Sequence, residues 1–363
     1  MTLLLRPLHL FLPAVAALLL LTAACDRRDL TYGYDNRCDV TFLVDWGCLS
    51  EPPQGMTLLF YPTDGGQPLR YLTNSVDSVT LAVPAGTYRV LVFNRTENEF
   101  SSLGFRGMDR FETAEVYGLP APEDMLLWAK RDDSRAITAR LEEIAVAALD
   151  ELTLTEEMRH DYGELSPQPV RRTGTPQTIR LTPASASYTT TIDIHIKGIQ
   201  NVRSVRATLD GLAEGYLMGA GRATANVVTH AIDEWQVVRD PGSYTEGSLH
   251  TRFVCFGLPE AAPPRALADE LATLLNASLQ VTVLLADNQT TVTFSYDVSK
   301  RVTVDQTEYV LTIVVGIPLP GQEDDPGAVP PELPDVPHVE SPSSGFDATV
   351  NDWEEGEEKD LTF

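Results

Sequence analysis

The residue with the most sharply defined chemistry is Cys25, in the stretch Leu21-Thr22-Ala23-Ala24-Cys25. A thiol directly behind small residues, at the end of an apolar run, can be acylated before the preceding peptide bond is cut. The stretch resembles a bacterial lipobox, with Thr22 standing where Leu is usual. Upstream lie one positive charge, Arg6, and a twelve-residue apolar run from Leu10 to Leu21, broken by Pro13. A bilayer-spanning helix needs about 20 apolar residues, so this is a secretory leader and not a membrane span. Cleavage as an ordinary leader after Ala-x-Ala-like residues is the alternative. With Cys25 lipidated, residues 1–24 are the signal peptide, and two or three acyl chains suffice for stable anchoring.

Other reactive residues show no such pattern. His9, His160, His195, His230, His250 and His338 are scattered, without an H-E-x-x-H motif or a close pair. A transition-metal site is therefore not expected. No G-x-S-x-G elbow is present. Gly219-Ala220-Gly221 begins a dinucleotide-like pattern, but Thr224 occupies the third glycine position, and a turn fits better. Asp132-Asp133, Glu142-Glu143, Asp324-Asp325 and Glu357-Glu358 are paired acids without a calcium-loop spacing. In so acidic a chain they read as solvated faces. Trp46 and Trp353 sit in strand patterns as core candidates, whereas Trp128 and Trp235 could be core or a sugar-stacking platform. The expectation is a protein without catalytic activity, metal or cofactor.

The chain carries 52 acidic against 27 basic residues, a formal net charge of −25. That repels nucleic acid and anionic membrane surfaces. Cys38, Cys48 and Cys255 are the other cysteines. They show no C-x-x-C spacing, and a single strand joining Cys38 to Cys48 would separate them by about 33 Å. Mostly free, apolar cysteines are expected, with a bridge after a chain reversal as the alternative.

Period-two alternation dominates the rest. After a polar tether, 25–37, Val40, Phe42, Val44 and Trp46 alternate with Thr41, Leu43 and Asp45. Met56–Tyr61, Val79–Val83 and Thr87–Phe93 follow, separated by Gly/Pro turns. Ala139–Leu154 fits either a helix or two strands, and Thr155-Glu156-Glu157-Met158 resembles a helix start. Residues 166–176, with Pro167, Pro169, Gly174 and Pro176, form the candidate linker between an N-terminal sandwich, 38–165, and a C-terminal one, 177–363. The second opens with Thr178–Leu181. Ile192, Ile194 and Ile196 then face one way, and Asp193 and His195 the other. Ser204–Leu209, Arg252–Phe256, Leu279–Leu285, Thr290–Tyr296 and Tyr309–Val315 complete its strands, with a hairpin at Asp287-Asn288-Gln289 and a helix over Pro264–Asn276.

Residues 318–342 hold eight prolines and read as an extended, poorly ordered spacer. Within the terminal stretch 345–363, Phe346, Ala348 and Val350 alternate with Asp347, Thr349 and Asn351, and Trp353 follows. That is a strand with one apolar face to bury, in its own sheet or in another molecule, and these four residues are the strand-exchange candidates.

The ordered set of lipobox, tether, Val44-Asp45-Trp46, Met56-Thr57-Leu58-Leu59-Phe60-Tyr61-Pro62, Pro84-Ala85-Gly86-Thr87-Tyr88-Arg89-Val90-Leu91-Val92, Phe105-Arg106-Gly107 and Asp352-Trp353-Glu354 resembles the Bacteroides-type fimbrillin-like lipoproteins, minor and anchor subunits among them. The resemblance implies a mostly β fold of two tandem transthyretin-like antiparallel sandwiches with one or two short helices. It also implies an outer-membrane lipoprotein at the cell surface whose partners are fimbrial subunits joined by strand addition. Polymerising relatives are cut after Arg or Lys near the end of the first strand. Here Arg27, Arg28 and Arg37 precede that strand, which favours an anchor, an accessory subunit or an adhesin. A glycan-binding lipoprotein of a polysaccharide-uptake system is the alternative.

Overall fold

The computed structural model describes residues 37–129, 135–155, 158, 177–259, 277–321 and 324–337. In chain order the strands of the first half are β1 (Arg37–Val44), β2 (Met56–Pro62), β3 (Leu69–Thr73), β4 (Ser78–Pro84), β5 (Gly86–Asn94), β6 (Leu103–Arg106), β7 (Glu115–Gly118), β8 (Ile137–Thr138) and β9 (Ala145–Leu154). A short helix, α1 (Glu123–Ala129), precedes β8. Then come β10 (Gln177–Leu181), β11 (Ala184–Ser185), β12 (Tyr188–Lys197), β13 (Val202–Ala213), β14 (Gly215–Leu217), β15 (Arg222–Ala223), β16 (Val227–Ile232) and β17 (Gln236–Arg239). The last are β18 (Glu246–Cys255), β19 (Ser278–Leu285), β20 (Thr291–Asp297), β21 (Val302–Asp305) and β22 (Val310–Val315). The fold is mostly β, as the alternation requires.

The first half packs the sheet β10-β1-β4 against β11-β9-β5-β2-β3. Strict alternation along β1 sends Cys38, Val40, Phe42 and Val44 inward, where they meet Met56, Leu58 and Phe60 of β2 and Val90 and Val92 of β5. Phe60 makes edge contacts with Phe42, Tyr71 and Tyr88. β2 and β5 are buried on both faces, because Leu59, Tyr61, Leu91 and Phe93 point to a second cluster with Phe100, Phe111, Ala213, Met218 and Phe256. This explains why Met56–Tyr61 is continuously apolar rather than alternating: a strand covered on both sides has no polar face.

In the second half, β17-β18-β12-β22-β21 packs on β20-β19-β13-β16-β8. The isoleucines of β12 and Leu249 of β18 face Val205, Ala207 and Leu209 of β13 and Val281 and Val283 of β19. A small sheet, β15-β14-β7-β6, joins the halves. Arg106 reinforces this joint, 2.6 Å from Glu115 and 3.2 Å from Glu214.

Three expectations are revised. Gln177–Leu181, expected to open the second sandwich, instead runs parallel to β1 and places Ile179 and Leu181 on the first core. Conversely, Ile137–Thr138 pairs with β16 of the second half. Alternation identifies a strand but carries no information on which sheet receives it.

Ala139–Leu154 contains the single long strand β9, with a register shift opposite Tyr88 and Val90. Its inward residues are Ala145, Ala147 and Leu149, then Leu152 and Leu154. One bulged residue breaks the period of two into a spacing that resembles a helix.

The proline-rich segment is the third revision: through Pro337 it is an ordered strap. Lys197 N–H donates to Pro331 O, and Leu333 N–H to Lys197 O, each at 2.9 Å. Leu333 enters the second core. Gly198 makes the approach possible, since its φ is +80° and a Cβ there would lie 2.6 Å from Leu333 O. Prolines rule out a regular ladder, yet the two bonds that form need only the N–H groups of Lys197 and Leu333.

The linker 166–176, the helix expected over Pro264–Asn276 and the strand within 345–363 lie outside the described residues. Among the described residues no helix is long and apolar enough to cross a membrane.

Candidate anchoring and strand-addition sites

Cys25, Phe346, Ala348, Val350 and Trp353 also lie outside the described residues. The structure does describe where the chain from Cys25 enters the body. Arg37 begins β1, and its guanidinium donates to Ala82 O at 3.2 Å. Buried Cys38 follows, with its thiol 3.5 Å from Thr155 O. β1 is then paired on both edges, over seven residues with β4 and five with β10. Tension along the tether would load two ladders in shear, with Phe42 locked in the core between them.

At the other end, the strap is pinned by Arg301 and Asn201. The Arg301 guanidinium donates through Nε to Asp325 at 2.9 Å and through Nη1 to the carbonyls of Val314 and Ile317. Gly327 lies against that guanidinium, where a Cβ would come within 2.4 Å of Nε. Asn201 Nδ2 donates to Pro334 O at 3.1 Å and to Asp335 Oδ1 at 3.0 Å. Pro337, the last described residue, therefore leaves the body beside Asn201.

Polar groups capable of chemistry are mostly engaged in holding the sheets. Glu142 accepts from the backbone of Ser101 and Ser102, from both hydroxyls and from Arg95. Burial opposes its charge, but these donors outweigh it and hold the carboxyl below its ordinary range. Glu143 accepts from Ser50. Both acids line a cleft of about 510 Å³. A cleft of about 720 Å³ is flanked by Arg89, which is bound to Glu112 and stacked 4.0 Å over Phe111.

Asp193 bonds His250 at 2.7 Å, and Ser248 meets His195 at 3.3 Å, on the outer face of β12 and β18. Among the described residues no three His, Cys, Asp or Glu side chains are placed to hold a metal. Cys38, Cys48 and Cys255 form no disulfide with one another, and burial pushes Cys255 up to about 11.

Trp46 is buried and donates to Val76 O at 3.0 Å. Trp235 packs against the second core, and Trp128 is half-buried under Arg206, 5.3 Å from its ring. Two residues that sequence reasoning missed are the buried Arg301 and the buried His230. Among the described residues neither nitrogen of His230 has a hydrogen-bond partner, and burial lowers its pKa to about 4. No local pattern flags either one.

Residues 24–233 match the family model described as "Domain of unknown function (DUF5119)", more than half of the chain. The chain belongs to the DUF5119 family. The "Putative fimbrium anchoring subunit Fim4B" of Bacteroides ovatus is 28% identical to the chain over 229 residues, 60% of this chain and 57% of that protein. The match thus spans little more than half the length of that relative. A similar fold is seen in a crystal structure described as "a putative adhesin from Bacteroides ovatus", at 20% identity and a TM-score of 0.55, covering 88% of this chain and 98% of that one. A second solved protein, described as "a putative adhesin" of Bacteroides thetaiotaomicron, overlaps less well, at 9% identity and a TM-score of 0.48 over 77% and 91% of the two chains. The printed names of these relatives describe fimbrial and adhesive proteins, not enzymes.

Proposed function

We propose that this DUF5119 protein is a non-catalytic surface lipoprotein, the anchoring or accessory subunit of a fimbria-like assembly, or an adhesin of that kind. The observation that carries this reading is the 28% identity to a protein named as a fimbrium anchoring subunit. The doubly paired β1 directly behind the tether suits a body held against pull. In this reading Cys25 is acylated, the lipid sits in the outer membrane, and 25–37 spaces the body from it. Fimbrial subunits are the partners, joined by strand addition, in which backbone bonds give affinity and alternate side chains give specificity. Phe346, Ala348, Val350 and Trp353 are the chain's own strand candidates, for its own sheet or for a partner's. The fimbrial reading is preferred to the glycan-binding alternative because Trp235 packs against the second core and the ring of half-buried Trp128 is stacked by Arg206.

Replacing Cys25 with Ala should release the protein from the membrane fraction and leave its fold unchanged. Fractionation identical to the native chain would remove the anchor. Isolation of the native envelope should recover the protein with a polymer of other subunits. Recovery without such a polymer, together with specific glycan binding, would overturn the fimbrial reading.

A further inference from the structure

Sheet β20-β19-β13-β16-β8 ends at β20, and no described strand pairs with its outer edge. Exposed sheet edges are normally blunted by Lys, Pro, a bulge or short length. β20 itself has none of these, and the strap reaches it only at its C-terminal end, where Ser295–Asp297 share a cleft with Gly321 and Asp324–Gly327. Its sequence Thr-Val-Thr-Phe-Ser-Tyr-Asp runs seven residues in unbroken register with β19. Thr291, Thr293, Ser295 and Asp297 are exposed, while Val292, Phe294 and Tyr296 are only half-buried against the second core. Four other edges are blunted. Arg70 on β3 is clamped to Glu97, β17 and β21 are four residues long, and β4 ends in Pro84 with Ala82 O taken by Arg37 and Tyr71.

The chain that leaves the strap starts beside this edge. Asn201, which holds Asp335, accepts from Ala286 N–H at 2.8 Å, and Ala286 precedes the turn from which β20 begins. The eight residues from His338 to Gly345 can span about 27 Å, close to the roughly 24 Å of a seven-residue strand. The segment that follows has the matching period. Phe346, Ala348 and Val350 would cover Val292, Phe294 and Tyr296, and Asp347 and Thr349 would lie with the exposed hydroxyls.

We propose that Phe346–Val350 adds to the free edge of β20 in the same molecule, as a sixth strand of that sheet. This deepens the reading of the tail given above but does not depend on a fimbrial role, and its failure would leave membrane attachment through Cys25 untouched.

Hydrogen exchange tests it, comparing the full chain with a chain ended at Pro337. Outward-facing amides of β20 should exchange at least about tenfold slower in the full chain, and a peptide of residues 345–352 should restore the protection to the shortened one. Independently of truncation, Thr293→Cys with Thr349→Cys, in a Cys48→Ser background, should form a disulfide within one chain. Equal exchange in the two chains would overturn the proposal. So would a disulfide joining two molecules, which would assign the edge to a second copy.

Discussion

Arg301 and Asp325 meet beneath the strap, Nε 2.9 Å from Oδ2, with the arginine side chain wholly buried. Asp325 also accepts from Gly327 N–H at 2.9 Å, capping the short turn Pro326–Ala328. One carboxylate thus neutralises a buried cation and fixes the strap that covers it. Asp325→Ala should cost roughly 3–5 kcal/mol, because the guanidinium stays buried without its counter-charge. Arg301→Met, which removes the charge and keeps the bulk, should cost clearly less. Urea unfolding of the two variants checks the order, and a reversed order would mean that the pair does not hold the strap.

Eight prolines and many acids make 318–342 read as a spacer, since nothing local in it forms a helix or a strand. What orders it is distant: Gly198, Asn201 and Arg301, none of which carries a signal of its own. The central strands were legible for the opposite reason. The isoleucines of β12 and the Val40, Phe42, Val44 series of β1 declare their faces by alternation alone. Sheet membership was not legible, because pairing of β10 with β1 depends on where a neighbouring edge is open. The same limit applies to the candidate sites: alternation marks Phe346–Val350 as a strand, but only the structure reveals the unprotected edge of β20.

Gly198→Ala should destabilise the second half by about 2 kcal/mol. A left-handed backbone costs an L-residue roughly 1–2 kcal/mol, and here the new methyl also overlaps Leu333 O. Gly221→Ala, with a similar positive φ and open space around it, isolates the strain from the overlap. The Leu333 amide should exchange faster in Gly198→Ala and not in Gly221→Ala. Equal behaviour would show that the strap is not held by this contact.

His230 should make the protein acid-sensitive. It lies fully buried, tilted against Phe253 at 5.5 Å, with no acceptor for a second proton among the described residues. Desolvation lowers its pKa from 6.5 to about 4, so the unfolded chain binds the proton first. Stability is complete above pH 6.5 and falls as pH drops toward 4, by up to roughly 3 kcal/mol from this residue. His230→Leu removes the titrating group, so its unfolding free energy should fall less over that interval. Parallel curves for the two proteins would show that His230 finds a partner or water.

Strand exchange between the halves makes its own prediction about how the chain can be divided. A cut in 166–176 leaves the first fragment without β10 and β11, so one edge of β1 and one of β9 lose their partners. It also leaves the second fragment without β8, the edge beyond β16, and without β7, to which β14 is paired. Phe256 and Met218 would lose the Leu91, Phe93 and Phe111 surface that covers them. Buried side chains of this size each contribute about 1.5–3 kcal/mol, against a total stability of only about 5–15 kcal/mol for a domain. Neither fragment should therefore unfold cooperatively alone, while the two expressed together should associate and regain a single transition. Independent cooperative unfolding of both fragments, followed by calorimetry, would show that the shared sheet and core contribute little to either half.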